Sequence, residues 1–171
     1  MKKFAVIFIL ILAIASPLLS QPKTKEVVEQ MGGFSYSIPA DWTLSKMDGM
    51  DFQIARDKIS NGFYANVNIL QEKNNYSFAE YFKLNLVQLK DYIADYQEIN
   101  TEDFVTDSGM KGKKHICSDK QGGKSLYQAF YFFERKDKTK IIITGTSLLE
   151  EREKYAPVFD TVVKSYKLLK K

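Results

Sequence analysis

Cysteine and histidine occur once each in the 171 residues, as Cys117 and His115. A single thiol excludes an intramolecular disulfide framework, and a single imidazole excludes a metal cage built from histidines. Four prolines and nine glycines are too few for a collagen-like or low-complexity chain. Blocks of like charge are also missing. Basic and acidic residues interleave, as in Glu134-Arg135-Lys136-Asp137-Lys138, and the net charge is only +4. Without a basic stripe the chain lacks the footprint of a nucleic-acid binder. The dense group Lys164, Lys167, Lys170 and Lys171 fits the C-terminal end of a helix, where cations complement the macrodipole. No phosphate-binding glycine loop, Gly-x-Ser-x-Gly elbow, His-Glu-x-x-His pair or alternating-acid calcium loop is present. These absences leave a chain with no catalytic spacing, expected to be a non-enzyme with no cofactor.

What is present is a globular composition, 44% hydrophobic and 27% charged. The first 20 residues have the layout of a secretory leader: Lys2-Lys3, an apolar run from Phe4 to Ala15, then Pro17 and Leu18-Leu19-Ser20 before Gln21. The run is shorter than the roughly 20 residues a membrane span needs. Ser20 and Gln21 flank one processing point. Cutting after Ala15, with Ala13 two residues before it, satisfies the small-x-small rule better. Gln21 stands where a lipoprotein box would carry its lipidated cysteine, so no stable membrane anchor is expected after cleavage. The expected location is periplasmic or extracellular, and a single cysteine agrees with that, because unpaired thiols are a liability in oxidising compartments.

Residues 21–33 read as a polar lead-in, with Val27, Val28 and Met31 able to form one helical turn. Residues 34–171 read as one domain. Phe34, Tyr36 and Ile38 alternate with serines as in a half-buried strand. Further strands are expected near 51–57 and 63–71, joined by an Asn61-Gly62 hairpin turn. A helix follows, with Ser77 and Glu80 as a capping box and Phe78, Phe82, Leu86, Leu89, Ile93 and Tyr96 on one face. Four strands are expected near 97–107, 110–119, 124–135 and 138–148. The last two are apolar on both faces, as in the middle of a covered sheet. A closing helix is expected from 156 to 169, with Pro157 in its first turn. The fold class is α+β: an antiparallel sheet of about six to seven strands with helices on both faces, an α/β/α sandwich.

Phe34-Ser-Tyr-Ser-Ile-Pro39-Ala-Asp-Trp42, Asn66-Val67-Asn68-Ile69 and the ending from Tyr155-Ala-Pro-Val-Phe159 to Lys164-Ser165-Tyr166 carry a further signal. Together they resemble the PsbP-like family, which also includes a Ran-binding import factor and the bacterial envelope lipoprotein DcrB. The resemblance spans residues 34–166. It implies the same α/β/α sandwich and an accessory or binding role, with no shared catalytic residues to carry over.

Two groups of side chains are candidates for chemistry. His115 and Cys117 lie two apart on a strand and so share a face. They could form a nucleophile and its base, or two ligands of a metal site completed by an acid such as Asp119. The alternative reading of Cys117 is a small buried hydrophobe. Lys111, Lys113 and His115 share one strand parity, which suggests a basic binding strip. Trp42 is expected to plug the end of the core. The leading expectation is an exported, non-catalytic binding protein of the bacterial envelope. Its partner would be an envelope protein or a small ligand, not nucleic acid. A thiol-dependent or metal-binding protein using His115 and Cys117 is the alternative.

Overall fold

The Asn61-Gly62 pair forms the tight turn its residues require. Both have left-handed backbone angles, φ 49° and 71°, and Ser60 and Phe63 pair across them. In the computed structural model, residues 23–170 are described. The leader and its candidate processing residues Ser20 and Gln21 lie outside them.

The elements follow in chain order. They are β1 (Thr24–Glu29), β2 (Phe34–Pro39), β3 (Thr43–Ser45), β4 (Ile54–Arg56) and β5 (Asn66–Lys73), then helix α1 (Phe78–Tyr92). Next come β6 (Gln97–Val105), β7 (Lys111–Gln121), β8 (Lys124–Glu134) and β9 (Thr139–Leu148), a 3₁₀ turn (Leu149–Glu151), helix α2 (Arg152–Lys164) and β10 (Lys167–Leu168). Seven strands form one antiparallel sheet in the order β3-β4-β5-β9-β8-β7-β6, and β1-β2-β10 form a small second sheet. The expected mixed architecture is present, with a helix on each face of the large sheet.

Alternation along the central strands explains the layers. Tyr127, Ala129, Tyr131 and Phe133 of β8, with Ile141 and Ile143 of β9, face a core shared by α2 and β2. Phe130 and Phe132 of β8, with Cys117 of β7, face the opposite way, toward Tyr81, Phe78, Phe82 and Leu89 of α1. Helix α1 starts as its sequence dictates. The Ser77 side chain accepts from the Glu80 N–H, and the Glu80 carboxylate accepts from the Ser77 N–H. Its inward stripe is thinner than the sequence suggests: Tyr81 alone is fully buried, while Phe78, Phe82 and Leu89 are partly covered.

Three expectations are corrected. Residues 24–29 form β1 and not a helical turn, because β2 needs a partner and Val27 needs only one inward position to be buried. The second expected strand shrinks to Ile54–Arg56. The closing helix begins at Arg152, which moves Pro157 into the second turn, and it ends at Lys164 so that Lys167 and Leu168 can pair with β2. The Ser165 hydroxyl then accepts from the Ser37 N–H at 2.8 Å, tying the end of α2 to β2.

Candidate functional site

Strand β7 places the residues that the sequence singles out. Its register sets Lys113 opposite Phe132, His115 opposite Phe130 and Cys117 opposite Gln128, so all three share the α1 side. Their environments then diverge. Lys111 is exposed and Lys113 pairs with Asp103 at 2.7 Å. His115 is completely buried, and the Tyr96 ring lies nearly parallel to the imidazole, with 8° between the planes. The structure therefore brings two lysines to the surface without the histidine.

Both ring nitrogens of His115 are engaged. Nε2 lies 2.6 Å from the Tyr96 hydroxyl, and Nδ1 lies 2.7 Å from the Thr101 hydroxyl. A neutral imidazole donates from one nitrogen and accepts at the other, and each hydroxyl can supply the complement. Burial holds its pKa below the ordinary 6.5. Because the folded pKa is depressed, His115 contributes stability above about pH 6.5, and this is lost as the pH falls through the folded value. The urea midpoint should accordingly drop below that pH, and His115→Gln, which cannot titrate, should flatten this part of the profile. An unchanged slope in the variant would assign the acid sensitivity to other groups.

Cys117 is equally buried. Burial first, then the Asp119 and Glu98 carboxylates, push its thiol up to about 12. A thiol in that state is protonated and inert at neutral pH, and neither His115 nitrogen is left to act as its base. No cluster of three His, Cys, Asp or Glu side chains arranged to hold a metal occurs among the described residues. Asp119, the acid that could have completed such a site, is 4% exposed and accepts from the Gln128 amide through Oδ2. Its Oδ1 has no hydrogen-bond partner among the described residues, and burial raises its pKa.

A different place combines concavity with convergent polar groups. Strand β2 stops at Pro39, and the corner that follows turns Trp42 inward, where it is 2% exposed. The Lys25 ammonium holds the Trp42 carbonyl. Beside it, α2 supplies Tyr155, Pro157, Val158, Thr161 and Val162, the end of β4 leads into Asp57, and β1 contributes Thr24. Together with Pro39 and Asp41 they enclose a cleft of about 390 Å³. One polar chain crosses it: Lys154 Nζ donates to the Tyr155 hydroxyl at 2.8 Å, and that hydroxyl donates to Asp57 Oδ2 at 2.8 Å. Burial raises the Tyr155 pKa, and the Tyr155 hydroxyl raises that of Lys154. Apolar walls around a few fixed polar groups are the usual form of a small-ligand site. A wider, more open depression of about 660 Å³ lies between Lys124, Leu148, Leu149 and Arg152. Several of its polar groups already bond one another: Lys124 to the Asn61 carbonyl at 2.9 Å, and Asn61 to Glu150 at 3.0 Å.

Trp42 was legible as a core plug, but Asp57 and Tyr155 were not. They stand 98 residues apart, and only the folded sheet brings them together.

No family model matches the chain, and no curated protein matches it. Solved structures do. LpqN of Mycobacterium tuberculosis, described as involved in cell envelope biogenesis, superposes with a TM-score of 0.64 at 9% identity, over 88% of each chain. A Pseudomonas aeruginosa protein of unknown function gives 0.58 at 15% identity, over 77% of this chain and 99% of that one. Cyanobacterial PsbP from Synechocystis sp. gives 0.62 at 13% identity, over 90% of this chain and 97% of that one. At these identities the likeness is one of fold: the chain has the architecture of PsbP and of LpqN-like envelope proteins.

Proposed function

We propose that this is an exported accessory protein of the bacterial envelope that binds a ligand and carries out no chemistry on it. The observation that carries the binding reading is the Trp42–Tyr155 cleft, where apolar walls meet the Tyr155–Asp57 hydrogen bond and the Lys154 ammonium beside it. In the one nucleophile–base pair the sequence offers, both side chains are buried, both nitrogens of His115 are engaged by hydroxyls, and burial holds Cys117 as a thiol. Export rests on the leader pattern of residues 1–20. The fold it shares with an envelope-biogenesis protein is in keeping with that.

The test is fractionation of a bacterial host expressing the full chain, with intact-mass measurement of the product and iodoacetamide treatment of the folded protein. The expected product lies outside the cytoplasm, lacks the leader, and takes up label at Cys117 only after denaturation. A full-length cytoplasmic product would sink the export reading. Rapid labelling of the native thiol would revive a thiol-dependent function.

A further inference from the structure

The Trp42 cleft already holds an ammonium group, and it belongs to the chain itself. Lys154 Nζ lies 4.4 Å from the centre of the Tyr155 ring, 2.8 Å from its hydroxyl and 3.8 Å from Asp57 Oδ2. An aromatic ring, a hydroxyl oxygen and a carboxylate together make a seat for an organic cation. The lysine in that seat is loosely placed, with its side chain 61% exposed. It can swing into water at little cost, because a long stem keeps its charged head solvated in many conformations. The seat is fixed. The Asp57 side chain is largely covered, its Oδ1 accepts the Lys58 N–H at 2.7 Å, and its Oδ2 accepts the Tyr155 hydroxyl. Asp41 adds a second carboxylate to the lining, while Lys25 is committed to the Trp42 carbonyl. The remaining walls are Pro39, Trp42, Pro157, Val158 and Val162. A volume of about 390 Å³ stands at the small end of ligand sites and suits one ring on a short chain.

We infer that this cleft binds a small amphiphilic amine, with its apolar body against Pro39, Pro157 and Val158, the accessible apolar side chains of the lining, and its ammonium in the seat that Lys154 occupies. The inference rests on the ligand-binding reading above and narrows it to one chemical class. The exchange replaces one cation by another, so the charge of the site is conserved. The apolar body supplies the driving force by leaving water. An anionic ligand of the same shape would instead meet Asp41 and Asp57 and be rejected by like charge.

Trp42 is the one tryptophan of the chain, so its emission reports on the cleft directly. Purified protein is titrated with phenethylamine, with 2-phenylethanol as the neutral control and 3-phenylpropionate as the anionic one. Phenethylamine is expected to give a saturable change, the alcohol a weaker one and the acid none. Lys154→Ala removes the internal competitor and should tighten amine binding several-fold. Asp57→Asn should weaken it by roughly tenfold or more, the loss of a charge-assisted hydrogen bond. Asp41→Asn should weaken it less, and it keeps the test available if Asp57→Asn fails to fold. The opposite response to Lys154→Ala is decisive. If the acid binds best and that variant abolishes it, Lys154 is an anchor for anions and the inference is overturned. Equal responses to all three probes, or to none, also overturn it. The export reading survives any of these results, because fractionation tests it separately.

Discussion

Replacing Lys114 by methionine is expected to cost about 3 kcal/mol of stability, the lower end of the range for breaking a buried ion pair. Lys114 sits on β7 with only 5% of its surface exposed. Its ammonium lies 2.7 Å from Asp160 Oδ1 on α2 and 3.3 Å from Glu102 Oε1 on β6. The same Asp160 oxygen accepts the Tyr131 hydroxyl at 2.6 Å, and the ammonium stands 5.6 Å from the centre of the Tyr131 ring. Methionine fills the space of the lysine stem but leaves Asp160 without its cation. Asp160 and Glu102 keep partial access to water, which moderates the penalty and places it at the low end. Lys114→Met with Asp160→Asn should recover part of the loss, since no uncompensated carboxylate then remains on α2. The urea midpoint should fall with the slope unchanged. A loss under about 1 kcal/mol would mean that Lys114 behaves as a hydrated surface lysine.

The same device recurs on the other face. Lys140 of β9 is fully buried, donates to the Tyr76 carbonyl at 2.7 Å just before α1, and pairs with Glu134. Each helix is thus fastened to the large sheet by one buried lysine. Neither lysine was legible as such. Lys114 and Lys140 fall inside the strands expected near 110–119 and 138–148, but the groups that bury them come from distant segments. The large sheet itself was legible. Its alternation on β8 and β9 assigns both faces correctly, since a central strand must be apolar on each side. So was the start of α1, where Ser77 and Glu80 encode their own hydrogen bonds.

What escaped the sequence did so for local reasons. Strand β1 buries Val27 alone toward the core, so neither the period of a strand nor that of a helix shows. The charged stretch from Glu150 to Lys154 reads as a loop, and Pro157 then attracts the helix start to itself. In the fold Pro157 is exposed in the second turn of α2, and Tyr155 before it is already buried. That four-residue error hid Tyr155 from the candidate site. His115 and Cys117 share a face, as their spacing predicts, but Tyr96, whose hydroxyl engages the imidazole, follows α1 and reaches β7 only in the folded sheet.

Gly145→Ala should be as damaging as the loss of Lys114, although it adds only a methyl group. A Cβ at position 145 would stand 2.4 Å from Cγ of Phe159, closer than the 3.0 Å that real Cβ contacts essentially never breach. Phe159 has no room to turn aside. It is fully buried, with its ring parallel to Tyr155 at 6.0 Å and to Tyr127 at 6.4 Å. The strand cannot retreat either, since Gly145 is paired on both sides, with Val67 of β5 and Ala129 of β8. The strain must therefore lift α2, at an expected cost of about 3 kcal/mol, the upper part of the overpacking range. Phe159→Leu in the same chain shrinks the opposing side chain. The double variant should then be more stable than the sum of the two single losses allows, with a coupling of at least about 1 kcal/mol. Additive losses would show that the glycine serves the strand backbone and not the seat of the helix. The effect reaches the candidate site, because Tyr155, Val158 and Val162 of α2 form one wall of the Trp42 cleft. In Gly145→Ala the native-state emission of Trp42 should shift as that wall moves, and in the double variant it should return toward wild type. A shift that persists after stability is restored would separate the shape of the cleft from the packing of Phe159.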